Sequence, residues 1–136
     1  MNIGFDVHGV IDRFPEFFSC FSRMWRIGKI YVFSGKNHDK EEIAKKCTTF
    51  GICYDEIILT GSFLTGDQED RAQMIKKLNI EVMFDDLSEY SKHFPESCLS
   101  LLVRNDKNFD YNNKQYLFPE GDAGIRSFGL KVNENR

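Results

Sequence analysis

The sequence lacks the features that would mark a membrane protein, a disulfide framework or a nucleic-acid binder. No apolar run approaches roughly 18 residues, and Met1 to Val10 carries no basic segment followed by an apolar one. The four cysteines form no Cys-x-x-Cys pair, and a net charge of −3 gives no broad positive field. We therefore expect a cytoplasmic protein with buried free thiols, without membrane contact or non-specific nucleic-acid binding.

Phenylalanine, in contrast, is abundant, with thirteen residues in a chain of 136. Large aromatic side chains bury much apolar area, so we expect residues 1–136 to form one domain; the structure of the tail 104–136 stays open. Phe14, Phe17, Phe18 and Phe21 recur at helical spacing. This stripe is broad enough that most of it should pack on a sheet while one edge stays exposed.

Apolar segments alternate with helical patterns along the chain. Strands are predicted at Ile3–Val7, Lys29–Phe33, Glu56–Leu59, Glu81–Phe84 and Leu99–Val103. Helices are predicted from Phe14 to Trp25, from Asp39 to Phe50, after the polar segment Thr65–Asp70, and from Leu87 to Phe94. This order predicts an α/β fold, a three-layer Rossmann-like sandwich in which helices cover both faces of a five-stranded parallel sheet.

Polar residues stand where the predicted strands end, which is where open α/β sheets bind their ligands. Strand one runs into Asp6-Val7-His8-Gly9, strand two into Ser34-Gly35, and strand four into Asp85-Asp86, after a helix that carries Arg71, Lys76 and Lys77. In this order the set resembles the haloacid dehalogenase superfamily of phosphatases, over Ile3 to Asp86. Its signature is Asp-x-Asp-Gly, then Ser or Thr, then Lys, then an acidic pair.

The resemblance implies a Mg²⁺-dependent phosphomonoester hydrolase with the sheet order 3-2-1-4-5. Asp6 would be the nucleophile, and an aspartyl-phosphate would form and then hydrolyse. Mg²⁺ would be held by Asp6, the backbone carbonyl of His8, and Asp85, with Asp86 either bound directly or one layer further out. Asp6 or Asp85 alone would be an ordinary turn or helix cap, but both on neighbouring strands favour a shared metal site.

The phosphoryl group would be bound by Ser34, Gly35 and a cation from the helix before strand four. By spacing, Arg71 matches the lysine of the family, and Lys76 is the second candidate. An arginine fork can hold two phosphoryl oxygens but cannot mimic a compact ammonium, so this substitution is not neutral. His38 has no partner pattern and is expected at the surface or as a cap.

The chain departs from the family at His8, where the phosphatases carry a second Asp that protonates the leaving group and activates water. Histidine exchanges protons close to neutrality, so His8 could perform that step. As a neutral imidazole it could instead bind the metal. The alternative function is a catalytically impaired domain that binds a phosphorylated ligand or a protein partner, the latter through a Phe-rich surface.

Two related folds are disfavoured by the motif order. Receiver domains are phosphorylated after the third strand, which here ends in Leu59-Thr60-Gly61, and Asp6 to Asp12 lacks the Gly-x-Gly-x-x-Gly of dinucleotide-binding domains. The predicted connections leave no room for a cap domain. The resemblance then implies a phosphorylated macromolecule as substrate, or a homo-oligomer that covers the open site; Lys77-Leu78-Asn79-Ile80 before the acidic pair suggests a nucleotide.

Overall fold

The fold is a parallel β-sheet between two layers of helices, in a computed structural model that describes residues 1–61 and 69–117. Its strands are β1 (Asn2–Asp6), β2 (Ile30–Gly35), β3 (Glu56–Thr60), β4 (Ile80–Asp85) and β5 (Leu99–Leu102). They form one sheet in the order β3-β2-β1-β4-β5, and every neighbouring pair is parallel. The predicted fold class and strand order are confirmed.

The helices are α1 (Pro15–Met24), α2 (Lys40–Phe50), α3 (Asp70–Lys77) and α4 (Ser88–Ser91), and a short antiparallel hairpin of β6 (Phe109–Asp110) and β7 (Gln115–Tyr116) follows β5. Helix α4 is shorter than predicted. Residues 65–68 of the polar segment before α3, and the tail from 118 on, with Phe128 to Val132, lie outside the described residues. Within the described ranges, no helix has the length and apolar composition that a bilayer crossing requires.

Helix boundaries follow local chemistry that is readable in the sequence. Pro15 occupies the first turn of α1, where its missing N–H is tolerated. Asp39 caps α2 by accepting a hydrogen bond from the Glu41 N–H at 3.0 Å, and Gly51 ends that helix with φ +71°. Asn79 takes φ +55° just after α3. The helix ends at Gly51 and Asn79 determine where the next strands, β3 and β4, begin.

The core consists of two apolar clusters, one on each face of the sheet. One joins α1 and α2 to strand residues such as Phe5 and Val32, and the other joins α3 to residues such as Phe33 and Met83. The aromatic stripe of α1 packs as expected: Phe18 lies 4.9 Å from Phe5 between ring centroids. Phe17 at the edge of the stripe is 53% exposed. A broad stripe with one open edge was the prediction.

The cysteines divide into two pairs, so the expectation of four buried thiols is wrong for half of them. Cys47 and Cys98 are buried, whereas Cys20 and Cys53 are exposed. Burial raises the pKa of the Cys47 and Cys98 thiols to about 11. Cys20 follows Ser19 on the outer side of α1, and Cys53 lies in the loop before β3, where neither adds to the core.

This division predicts the pattern of thiol reactivity. At pH 8 iodoacetamide should modify Cys20 and Cys53 within minutes and leave Cys47 and Cys98 intact, because only an accessible thiolate is a nucleophile. Peptide mass mapping identifies the modified residues, and the same reaction in urea, where all four thiols should react, is the control. Fast modification of Cys47 in the folded protein would contradict the packing of α2 described here.

Candidate metal centre

Three aspartates meet at the carboxyl end of the sheet. Asp6 ends β1 and Asp85 ends the adjacent β4, with Asp86 directly after it. One oxygen from each lies within 4.8 Å of the others, and all three residues are buried, at 4%, 1% and 1% exposure. The strands bring together the acidic residues that the sequence predicted, because the carboxyl ends of parallel neighbours lie side by side.

Arg71 lies between two of these carboxylates. From the first turn of α3 its Nη1 approaches Asp85 Oδ2 at 2.8 Å and Asp6 Oδ1 at 3.2 Å, and its Nε donates to Thr60 Oγ1 at 3.4 Å. The guanidinium carbon also lies 4.6 Å from the centre of the Tyr90 ring. Arg71 is 3% exposed. It is therefore a fixed internal cation that ties α3 to the ends of three strands.

The other two candidate cations of α3 lie elsewhere. Lys76 and Lys77 are exposed on the helix surface, one turn and more beyond Arg71. Lys76 lines a surface cavity of about 400 Å³ together with Glu69 and His93, whose side chains are 3.6 Å apart. The structure therefore joins Arg71 to the carboxylates, and it does not bring the second candidate, Lys76, to them.

The charges of this cluster do not cancel. Burial acts to lower the pKa of Arg71, but Asp6 and then Asp85 outweigh it and hold that pKa above its ordinary value. Burial, reinforced by Asp6 and only partly opposed by Arg71, raises the pKa of Asp85 to about 6. Among the described residues of this cluster, Asp6, Asp85 and Asp86 supply three carboxylates and Arg71 one guanidinium, so these four side chains together carry two negative charges when all are ionised.

Two asparagines that sequence reasoning did not single out hold Asp86 in place. Asn105 Nδ2 donates to Asp86 Oδ2 at 3.0 Å and to the Gly9 carbonyl at 2.7 Å. Asn108 Nδ2 donates to the backbone carbonyl of Asp86 at 2.8 Å. Both asparagines are buried, and both follow β5. The rule that ligand sites form at strand ends could have pointed to them, because β5 was predicted.

Gly9 is the position where the Asp-x-His-Gly sequence meets Asp86 most closely. It lies in the wide turn Val7–Ile11 and has φ +85°, a left-handed conformation that side chains rarely adopt. A Cβ atom there would lie 1.9 Å from Asp86 Oδ2 and 2.8 Å from Asn105 Nδ2. Only glycine allows this backbone to pass so close to the carboxylate.

His8 is buried beside the carboxylates but contacts a different set of groups. Its Nδ1 lies 3.5 Å from Asp12 Oδ2, and the ring of His38 lies 4.4 Å from its own ring. Burial would raise the pKa of Asp12, but the hydrogen bonds from His8 and from the Gly9 N–H outweigh it and lower that pKa. His38 is half-buried, and its ring contact with His8 places it next to this site, which its sequence pattern did not indicate.

The metal role of the His8 side chain finds no support in this geometry. Among the described residues, the side chains with ligand atoms close enough to share an ion are those of Asp6, Asp85 and Asp86, without the imidazole. The contribution of His8 to a metal site would then be its backbone carbonyl, and its imidazole contacts Asp12 and His38 instead.

Ser34 and Gly35 end β2, next to β1 in the sheet. Ser34 is fully buried, and within the described part of the chain its Oγ has no hydrogen-bond partner. A buried hydroxyl normally has one, so this atom is suited to a ligand oxygen. Gly35 lies in register with Thr60 of β3, the residue that accepts from Arg71.

The chain matches no family model, no curated protein and no solved structure. The fold and the site define an α/β protein with a buried aspartate cluster. Carboxylate oxygens are the ligands that Mg²⁺ prefers, and a divalent cation would neutralise the two excess negative charges around Arg71. The donor atoms and the charge of the cluster therefore fit a hard divalent metal ion.

Proposed function

We propose that this chain is a Mg²⁺-dependent phosphomonoester hydrolase of the haloacid dehalogenase type that forms an aspartyl-phosphate on Asp6. The observation that carries the proposal is the buried Asp6–Arg71–Asp85 bridge at the ends of adjacent strands. A structural ion pair needs one carboxylate and one cation; here a third carboxylate, Asp86, is held beside them by Asn105. Such an excess of buried charge is expected where a ligand supplies the missing cation.

In this mechanism Arg71 binds Oδ1 of Asp6, so Oδ2 is the oxygen that attacks phosphorus. Arg71 also fixes the carboxylate orientation, because its Nη1 is anchored on Asp85. The bond to the ester oxygen breaks as the new bond forms, and Ser34 would donate to a phosphoryl oxygen. Bound Mg²⁺ would offset the negative charge that develops on the phosphoryl group.

His8 is the residue assigned to proton transfer in both half-reactions. It would give a proton to the departing alkoxide and later take one from the water that hydrolyses the aspartyl-phosphate. Asp12 orients the imidazole through Nδ1. This pairing stands in for the second Asp of the family signature, and a nucleotide or another phosphomonoester is the substrate class that the resemblance favours.

A p-nitrophenyl phosphate assay with Mg²⁺ tests this function. The wild type should release phosphate, and Asp6→Asn should reduce release to background because an amide oxygen is not a nucleophile. Asp39→Asn is the matched control, since Asn caps a helix as well as Asp and α2 should be unaffected. In His8→Asp, a loss of about 10²–10⁴-fold would identify histidine as the working acid–base group.

The second candidate function is a silent domain that binds a phosphorylated ligand. It is favoured by the engagement of Arg71 with Asp85, Asp6 and Thr60, because a guanidinium that binds these oxygens has fewer N–H groups left for a phosphoryl group. A folded sample whose melting temperature rises with Mg²⁺ but which releases no phosphate would select this function. A large gain of activity in His8→Asp would lead to the same conclusion. Without any Mg²⁺-dependent shift, both functions would be abandoned.

A further inference from the structure

The outer edge of the sheet at β5 is unusually exposed. All four residues of the strand are exposed, including Leu99 at 57%, Leu101 at 37% and Leu102 at 43%. The opposite edge strand, β3, differs, because Ile57 and Ile58 there are only 5% and 7% exposed. The two edge strands therefore differ in exposure, and β5 is the one whose leucines are largely exposed to solvent.

Among the described residues, no strand pairs with the outer side of the β5 backbone. In the described part of the chain β5 pairs with β4 alone. An unpaired edge is a template for another strand, and natural proteins usually block it with a charge, a proline or a bulge. The segment Leu99-Ser100-Leu101-Leu102 carries no charge and no proline. Nothing in the strand itself opposes the addition of a further strand.

One face of this edge continues an apolar surface. Leu99 and Leu101 are in register with Val82 and Phe84 of β4, so their side chains lie on the same face as α1. Phe17 of α1, which stacks on Phe21, is also exposed on this side of the molecule. A partner strand at the β5 edge would therefore find apolar side chains beside its own.

Charges of opposite sign mark the two ends of the strand. Glu96 lies in the turn before β5, and Arg104 follows the strand, with its guanidinium carbon 4.7 Å from the centre of the Phe109 ring. Each charge is four positions from Ser100. An antiparallel pairing about a two-fold axis at Ser100 would bring Leu99 of one copy to Leu101 of the other. Glu96 and Arg104 lie just outside the strand, so this pairing would place the end of one copy that carries Glu96 beside the end of the other that carries Arg104.

We infer that the β5 edge is a homodimer interface in which a second copy adds its own β5 antiparallel. The partner is assigned as a second copy because the edge is complementary to itself: its charges and its leucines both match after a half-turn. Glu96 and Arg104 lie at opposite ends of one strand, so their attraction is available only between two chains. The interface is independent of the phosphatase proposal, and the dimer forms with or without activity.

Charge reversal tests this pairing by sedimentation equilibrium from about 1 to 100 µM. The wild type should dimerise, and Glu96→Arg or Arg104→Glu alone should raise the dissociation constant about tenfold, because two like-charge pairs replace two attractive ones. An equimolar mixture of the two variants should recover wild-type affinity as a heterodimer, since both of its cross-strand pairs are again opposite. Glu56→Arg on β3 is the matched control and should dimerise normally.

Three results would overturn the inference. The first is a wild-type chain that stays monomeric at the highest concentration. If hydrogen exchange also finds the β5 amides of this monomer protected, the edge is covered from within the same chain. Another is a dimer that neither charge reversal weakens. The last is a mixture no tighter than its components, which would show that the variants act through folding and not through pairing.

Discussion

Replacing Arg71 with methionine should lower the free energy of unfolding by about 3–5 kcal/mol. Methionine approximates the length of the arginine stem, so the loss comes from the charge and not from a cavity. Without the guanidinium, the carboxylates of Asp6 and Asp85 are buried next to each other with no cation between them. Two like charges that are buried without a partner are strongly unfavourable. Thr60 also loses the donor that reaches it from Arg71.

Urea unfolding followed by the fluorescence of Trp25, the single tryptophan, measures this loss. Arg26→Met, at an exposed arginine outside the cluster, is the matched control and should cost less than about 0.5 kcal/mol. Adding Asp85→Asn to Arg71→Met should recover part of the stability, because it removes one of the two charges left unpaired. A loss of under about 1 kcal/mol for Arg71→Met would mean that the carboxylates do not depend on this arginine.

The strands and most helices were predictable because their signals are local. Pro15, Asp39 and Gly51 start or end helices through properties of the residue itself, which do not depend on the rest of the fold. Helix α4 was predicted but is shorter than its predicted range. The β6–β7 hairpin is too short to produce a periodic pattern, and a hairpin of two-residue strands depends on tertiary support. Local patterns therefore predict the sheet and its helices but not this hairpin.

The candidate site likewise contains some residues that could be predicted from the sequence and others that could not. Asp6 and Asp85 were predictable because the topology brings the strand ends to one place. Arg71 was predicted from the resemblance, because its spacing to the acidic pair matches the lysine of that family. Contacts that join distant loops leave no such trace: Asn105 bonds to Gly9 across 96 positions, and His38 reaches His8 from the next loop. Their residue types are common in turns, so a turn was the reasonable expectation until the fold supplied the contacts.

The charged residues and the uncharged residues of the site have different tasks. The carboxylates and Arg71 supply charge, whereas Asn105 and Gly9 position the Asp86 carboxylate. An amide is suited to this task because it donates to Asp86 and to the Gly9 carbonyl without changing its own charge. The asparagine side of this contact therefore carries no titratable group.

Gly9→Ala should lower the free energy of unfolding by about 2–4 kcal/mol, although it adds only a single carbon. Two costs combine at this position. The alanine must hold φ near +85°, and its Cβ would lie 1.9 Å from Asp86 Oδ2. Asp86 cannot simply move aside, because Asn105 holds its carboxylate and Asn108 holds its carbonyl.

Urea unfolding of Gly9→Ala and of Gly35→Ala should be compared. The comparison distinguishes the specific clash at Gly9 from the general effect of adding a methyl group. Gly35 does not need a positive φ, and the nearest atom to its Cβ is the tip of the exposed Asn37 side chain, which can rotate away. Gly35→Ala should therefore cost under about 1 kcal/mol. Because Asp86 is displaced in Gly9→Ala, the rise in melting temperature with Mg²⁺ should also shrink. Equal stabilities for the two variants would show that Gly9 and Asp86 are not in the close contact described here.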